Sequence, residues 1–322
     1  MEITQKTQKA IIYSLFVLFT IYYSSFTAFT AFAAGTAGAD FLRMGVGARP
    51  IALGEAYVGL ADDVNSMYWN PAGLTNIKGR EVSANYIMWL EGISSGQLSF
   101  AQKGANGSVI GIGVNYLTTG SIEQTEMDTN NSYVETGKTF SSQDTAVNVS
   151  MGKPIGEDTV GGISVKMIQS SIEAESANSY AADAGVLIDL INYDLPLMLG
   201  ISVQNLGAGI KYMQDTASLP MTYRAGVSYI YLIDKSEDKV NIMLDVSKSV
   251  DSAMSLHAGA EYLVGKSVAL RAGYKNSGNS ESLAGLSGGF GYKDKSGIGI
   301  DYAWVPYGDL GVTHRISITN RF

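Results

Sequence analysis

The sequence predicts an all-β protein, a transmembrane β-barrel of about fourteen antiparallel strands, on three observations. From about residue 80 onward the chain is a succession of stretches in which bulky apolar residues alternate with small or polar ones. Side chains alternate faces along a strand, and each stretch is close to the ~9–11 residues that a tilted membrane strand needs. The charges at the strand centres are sorted: Lys166, Asp183, Arg224, Asp245, Glu261, Arg271, Asp301 and Arg315 each fall on the less apolar face. An Arg or Lys on the lipid face at mid-bilayer costs roughly 2–4 kcal/mol, so one-sided sorting is what a lipid-facing wall imposes. The composition agrees, with charged residues at 16%, 37 Gly, 19 Tyr and only 6 Pro, where soluble domains carry roughly 25% charged residues. Mean hydropathy is only +0.08, too low for a bundle of membrane helices. A soluble sandwich would show the same alternation, so the ends of the chain must help to decide.

Residues 1–33 read as a cleaved export signal. Lys6 and Lys9 precede an apolar stretch from Ile11 to Phe32, and Ala31-Phe32-Ala33 supplies a small-x-small cleavage site. No later segment offers ~20 continuous apolar residues, so no other helix spans a membrane.

Residues 34–78 form a Gly- and Ala-rich zone with helix-like patches. Ile51–Tyr57 is one, with Pro50 suited to a first helical turn. Asp62 and Asp63 precede Val64–Trp69 and are read as helix caps. They could ligate calcium with Asn65, but no spaced carboxylate set follows. Asn70-Pro71-Ala72-Gly73-Leu74 ends the zone, with Asn70 pushed out of helical geometry by Pro71.

Residues 79–322 hold the strands, expected to begin near Glu81, Gly96, Ser108, Asp144, Val160, Tyr180, Leu195, Met221, Lys239, Met254, Ser267, Ser282, Gly297 and Val312. The connections after the second, tenth and twelfth are tight, while Thr118–Gln143 is long and polar. Short turns on one rim and longer loops on the other fit a bacterial outer-membrane barrel, with Thr118–Gln143 outside the cell. Opposite charges on neighbouring strands suggest lumenal pairs of Arg224 with Asp245, Glu261 with Arg271, and Asp301 with Arg315. Tyr86, Trp89, Tyr116, Tyr223, Tyr229, Tyr231, Tyr262, Tyr274, Tyr292, Tyr302 and Trp304 lie near strand ends, as interfacial girdles do. The paired glycines Gly111 and Gly113 suggest a kink and a lateral opening in the third strand. The last strand places Ile316, Ile318 and Phe322 on one face and Thr313, Arg315, Ser317, Thr319 and Arg321 on the other. Its terminal Phe322 looks like the assembly signal of bacterial outer-membrane barrels.

Two motifs carry a resemblance. Residues 35–49, Gly-Thr-Ala-Gly-Ala-Asp-Phe-Leu-Arg-Met-Gly-Val-Gly-Ala-Arg, run into Ala52-Leu53-Gly54-Glu55-Ala56-Tyr57, and Met67-Tyr68-Trp69-Asn70-Pro71-Ala72-Gly73-Leu74 follows. Together they closely resemble the PorV/PorQ family, a branch of FadL-like outer-membrane proteins. The resemblance implies a fourteen-stranded barrel with residues 34–78 folded inside as a plug. It also implies that Asn70, Pro71, Ala72 and Gly73 sit where plug meets wall. In FadL-like proteins the barrel moves hydrophobic molecules; in PorV it serves type IX secretion by binding signal domains of exported proteins.

No enzyme site is legible, and no cofactor is implied. There is no Cys, and the only histidines are His257 and His314, the latter in phase with the lipid-facing residues. Gly45-Val46-Gly47 and Gly111-Ile112-Gly113 lack the remaining glycine of a dinucleotide fingerprint, and no P-loop Lys follows. A formal net charge of −8 argues against a nucleic-acid partner. The expected partners are outer-membrane lipid, the barrel assembly machinery, and either exported proteins with their translocon or a hydrophobic small molecule. A closed barrel that anchors an assembly is a third, purely structural role.

Overall fold

The computed structural model describes residues 37–212, 215–233, 237–276 and 285–322. The expected export signal lies outside the described residues. The wall is a closed barrel of fourteen strands, each antiparallel to both neighbours. In chain order they are β1 (Arg80–Met88), β2 (Ser94–Lys103), β3 (Val109–Thr118), β6 (Ser142–Pro154), β7 (Thr159–Ile172), β8 (Glu175–Asp189), β9 (Leu197–Gly207), β12 (Thr222–Leu232), β13 (Lys239–Ser249), β14 (Met254–Val264), β15 (Val268–Asn276), β16 (Leu286–Lys293), β17 (Ile298–Pro306) and β18 (Val312–Arg321). Two short hairpins lie between wall strands: β4 (Ile122–Met127) with β5 (Tyr133–Phe140), and β10 (Ile210–Tyr212) with β11 (Asp215–Ala217). The ring closes where β1 pairs with β18. There Arg80 N–H donates to Phe322 O at 2.8 Å and Phe322 N–H donates to Arg80 O at 3.0 Å.

The alternation in sequence becomes the two surfaces of the wall. In β6, Ala146, Asn148 and Ser150 are buried while Val147, Val149 and Met151 are exposed. In β13, Asn241, Met243 and Asp245 are buried while Ile242 and Leu244 are exposed. The outer surface is thus a continuous apolar band, with Leu98, Val165, Leu244, Phe290 and Ile318 all more than half exposed. A band of this extent suits lipid, not water. Exposed aromatics border it on two levels: Tyr86, Tyr116, Tyr223, Tyr274 and Trp304 toward one rim, Tyr229, Tyr231, Tyr262 and Tyr292 toward the other. The second rim is the one that holds Phe322 and the start of β1.

Several expectations need correction. The stretch from Thr118 to Gln143 is not loop throughout, because β4 and β5 form a hairpin with Met127 opposite Tyr133. Its polar alternation looks like loop because neither face is buried. The sixth wall strand, β8, begins at Glu175 rather than Tyr180, since β7 and β8 extend past the membrane band as a hairpin paired from Ile172↔Glu175 onward. The helix near residue 50 spans only Ala48–Ala52. Gly54 (φ 65°) and Glu55 (φ 67°) then take left-handed conformations that break it. Trp89 is no girdle residue; its ring packs edge-on against Tyr307 at 5.0 Å, with Arg315 at 5.5 Å over it.

The kink expected at Gly111–Gly113 is absent. β3 pairs without interruption with both β2 and β6. Gly111 instead makes room for Met67, whose sulfur lies 2.7 Å from where a Cβ would stand. The register slip in the wall lies elsewhere, between Ala182 and Ala184 of β8, where β9 bulges. Asn205 carries the bulge at φ 59°, a conformation Asn tolerates better than most residues. The bulge is tied down: Asn205 N–H donates to Asp183 Oδ1 at 2.7 Å, and Lys166 Nζ donates to Asn205 Oδ1 at 2.7 Å.

Candidate functional site

Residues 37–78 pack against the inward-facing side of the wall, and their contacts reach strands all around the ring. Ala48 N–H donates to Ser317 Oγ of β18 at 2.7 Å, Gly54 N–H to Ser287 Oγ of β16 at 3.1 Å, and Tyr57 and Val58 N–H both to Asp245 Oδ2 of β13 at 2.7 Å. Ser202 Oγ of β9 donates to Trp69 O at 2.9 Å, and Arg315 of β18 donates to Gly45 O at 2.6 Å. Leu53, Ala56, Tyr57, Leu60, Trp69 and Ala72 form one buried core, with Leu187, Met243 and Ala303 of the wall joining it. Burial at ~25 cal/mol per Å² of apolar area drives this packing. The backbone donors that the short, irregular segment cannot satisfy internally are met by wall side chains.

The Asn70-Pro71-Ala72-Gly73 motif lies against β7 and β8. Pro71 keeps Asn70 extended (φ −159°), which frees the Asn70 side chain to bond in three directions. Its Oδ1 accepts from Ala72 N–H at 3.2 Å, and its Nδ2 donates to Val58 O and to Val186 O of β8, both at 3.1 Å. The wall backbone approaches so closely that a Cβ on Gly162 would overlap Pro71 and Ala72, and one on Gly185 would overlap Asn70. Gly200 and Gly273 stand against Val58 and Gly54 in the same way. Ahead of the motif, Asp63 Oδ1 accepts from Asn65 N–H at 2.8 Å. Neither Asp caps the helix, which spans Ser66–Trp69 with Asn65 as its N-cap and no side-chain cap bond; the Asp62 carboxylate pairs with Arg49 at 2.5 Å.

The lumenal charges gather in two clusters. Toward the Phe322 rim, Glu261 of β14 lies between two guanidiniums, with Arg49 Nε at 2.8 Å and Arg271 Nε at 2.7 Å. Arg271 also reaches Asp301 at 2.6 Å, and Arg49 reaches Asp62 and, at 3.5 Å, Asp63. Burial penalises the Asp62 carboxylate, but Arg49 outweighs this and holds it below the ordinary carboxylate range. Asp63 is more buried, and burial pushes it above that range despite Arg49.

Toward the opposite rim, Arg224 Nε donates to Gln204 Oε1 at 3.0 Å, and Trp69 underlies the guanidinium at 4.9 Å. Arg224 Nη2 stands 3.8 Å from Glu55 Oε2, and Lys275 Nζ donates to Glu55 Oε1 at 2.8 Å. Burial works against the charge on Glu55, but Lys275, His257 and Arg224 outweigh it and hold the carboxyl at about 2.

The pair of Glu261 with Arg271 forms, directly across the ladder. The pairs of Arg224 with Asp245 and of Asp301 with Arg315 do not. Asp245 is taken by the Tyr57 and Val58 amides, Arg224 by Gln204 and Glu55, and Arg315 by Gly45 O and the Trp89 ring. Wall-only reasoning missed that the inner segment brings partners of its own. Arg49, Glu55 and Asp62 were legible as charges inside an otherwise apolar zone. Lys275 gave no signal. Lys166 pairs with Asp183 at 2.8 Å. Phe322 is exposed on the outer face, and His314 bonds Tyr302 through Nδ1 at 2.7 Å.

Two cavities open toward the rim away from Phe322, and Leu42 and Tyr68 line both. One is apolar, lined by Phe41, Met44, Val46 and Ile87, with about 20 Å³ of free volume, the room of roughly one water. The other, of about 200 Å³, is polar and lined by Arg43, Glu55, Arg224 and Lys275 among others. Among the described residues no cluster of His, Cys, Asp and Glu could hold a metal ion.

Solved structures of the same architecture include the CymD monoaromatic hydrocarbon channel (14% identity, 87% of this chain and 98% of that one, TM-score 0.61). The toluene transporter TodX of P. putida matches at 11% identity over 86% of this chain and 99% of its own (TM-score 0.64). The toluene transporter TbuX of Ralstonia pickettii matches at 14% over 86% and 98% (TM-score 0.62). At these identities the likeness is one of fold. No curated protein sequence matches the chain. Residues 30–253, well over half of the chain, match the family described as type IX secretion system protein PorV; with the closed fourteen-stranded wall and its apolar outer band, this outer-membrane β-barrel belongs to the PorV family.

Proposed function

We propose that this chain is a closed, non-catalytic barrel that serves secretion by binding exported proteins or other components of a type IX-like system at its outer rim. The filling of the lumen carries this reading. Residues 37–78 occupy the interior as a plug, an apolar cavity beside them holds about 20 Å³, and the ladder from β1 to β6 is unbroken. A conduit for hydrophobic molecules needs more apolar space than this. The β4–β5 hairpin offers the surface a protein partner would use: Met127 and Tyr133 face each other across it and are 60% and 78% exposed. In this reading residues 1–33 direct export and are removed, Phe322 serves assembly, and the rim carrying the hairpin faces outward.

The second reading, passage of hydrophobic small molecules, draws support from the apolar pocket of Phe41, Leu42, Met44 and Val46. The barrel is purified from outer membranes in mild detergent, and co-purifying proteins and lipids are identified together by mass spectrometry. Stoichiometric exported proteins or a large translocon are expected. They are expected to be lost from a barrel carrying M127S and Y133S, which keeps its stability within about 0.5 kcal/mol because both side chains are exposed. A bound apolar small molecule without any protein partner would overturn the secretion reading in favour of the conduit.

A further inference from the structure

The polar cavity contains a buried cation that the protein does not finish pairing. Arg224 is 7% exposed. A guanidinium has five N–H donors. Arg224 uses Nε on Gln204, while Nη2 is 3.8 Å from Glu55 Oε2, too far for a hydrogen bond. Nη1 has no partner at all, and neither has Glu55 Oε2. Leaving such donors unmet in a buried site costs free energy, and Trp69 closes one face of the guanidinium. What is left is an incompletely paired guanidinium on a residue that lines a cavity of about 200 Å³.

The other charges at the cavity are spoken for. Arg43 pairs with Asp251 and Lys275 with Glu55, and Asp245 is held by the Tyr57 and Val58 amides. With Arg43 balanced by Asp251 and Lys275 by Glu55, Arg224 is the cation left over at the cavity. Ser247 adds an acceptor. His257 Nδ1 lies 2.8 Å from Gly54 O, which can only accept, so in the neutral ring Nδ1 carries the hydrogen and Nε2 accepts from Ser247 Oγ at 2.8 Å. The Ser247 oxygen lone pairs are thereby left for a hydroxyl from the cavity.

We propose that this cavity binds a small hydroxylated carboxylate, such as a sugar acid. Its carboxylate takes the free edge of Arg224 in the bidentate manner guanidinium favours, and its hydroxyls donate to Glu55 Oε2 and Ser247 Oγ. The site is independent of whether the barrel serves secretion or transport. It is polar, it is separate from the apolar pocket, and it asks for a hydrophilic ligand.

Trp69, lying under Arg224, is a built-in reporter. In the full chain in detergent, carrying W89F and W304F so that Trp69 alone emits, D-gluconate is titrated with D-glucose as the uncharged control. Saturable quenching or a spectral shift in the millimolar range is expected with gluconate and not with glucose. R224Q is expected to weaken the apparent affinity about tenfold or more, and R224K to restore part of it. Because R224Q could disturb folding, A253F provides a second variant: Ala253 is exposed at the cavity mouth, and a bulky ring there blocks entry without touching the charges or adding a second tryptophan. Equal responses to gluconate and glucose, no saturation into tens of millimolar, or gluconate binding unchanged in A253F would overturn the proposal.

Discussion

The two charge clusters in the lumen are built from the same residue types at the same wall, yet only one is complete. Around Glu261 each carboxylate and guanidinium finds hydrogen-bonding partners: Arg49, Arg271, Asp301 and Asp62 close on one another. Around Arg224, one guanidinium nitrogen and one oxygen of Glu55 are left without partners beside a cavity. The first cluster joins the inner segment to β14, β15 and β17 and has nothing left to offer a ligand. The second joins the same segment to β12 and β15 and keeps donors in reserve. Burial alone therefore does not mark a functional charge; unfinished pairing next to space does.

The largest effect follows from breaking the complete cluster. E261Q removes the carboxylate from between two buried guanidiniums, and breaking such a pair costs about 3 kcal/mol or more. R224Q removes a cation that is only partly paired, so about 1 kcal/mol is expected, the scale of one hydrogen bond. Denaturant unfolding of both variants in the same lipid vesicles measures the difference. Equal losses would mean that the two clusters bear on stability alike, and the contrast between them would fall.

A somewhat smaller effect tests the fit of segment to wall. Gly162→Ala sets a methyl into the backbone of Pro71 and Ala72, whereas the nearest atom to a Cβ on Gly288 is Arg271 O at 3.8 Å. Overpacking costs typically ~1–3 kcal/mol, so G162A is expected to lose that much in the same unfolding assay and G288A close to nothing. If G162A were neutral, the inner segment would be able to shift against β7 and the close approach would hold nothing in place.

The wall was legible because lipid imposes a rule on every residue of a strand. Alternation in β6 and β13 and the sorting of Lys166, Arg224 and Arg315 follow from the cost of a charge or an unpaired polar group in hydrocarbon. The partners of those charges were not legible, because they depend on where a compact irregular segment sits. Asp245 looked like a partner for Arg224 across the ladder, and nothing local says that the amides of Tyr57 and Val58 take it first. The wall glycines were visible as glycines, yet the same residue type makes room for Met67 at Gly111 and for Pro71 at Gly162, and faces outward toward Ile155 at Gly161. Only the folded contact separates these roles.

The finest test uses pH to address the incomplete cluster alone. Glu55 stands at about 2 in the folded protein against an ordinary 4.5, held there against burial by Lys275, His257 and Arg224. A carboxylate whose folded value is depressed contributes stability that is fully present above the unfolded value and is lost as pH falls through the folded one. The Glu55 contribution is therefore intact above about 4.5 and fades as pH falls toward 2. Asp63 lies on the other side of its ordinary value and has the opposite sign, while Asp62 shares the sign of Glu55, so the wild-type curve mixes terms of both signs. Subtraction of E55Q isolates the term: the stability gap between wild type and E55Q should be widest above about pH 5 and should close as the pH approaches 2. A gap that stays constant across this range would mean that Glu55 acts in the fold through its shape and hydrogen bond to Lys275, and not through the charge that balances the cations of the open cluster.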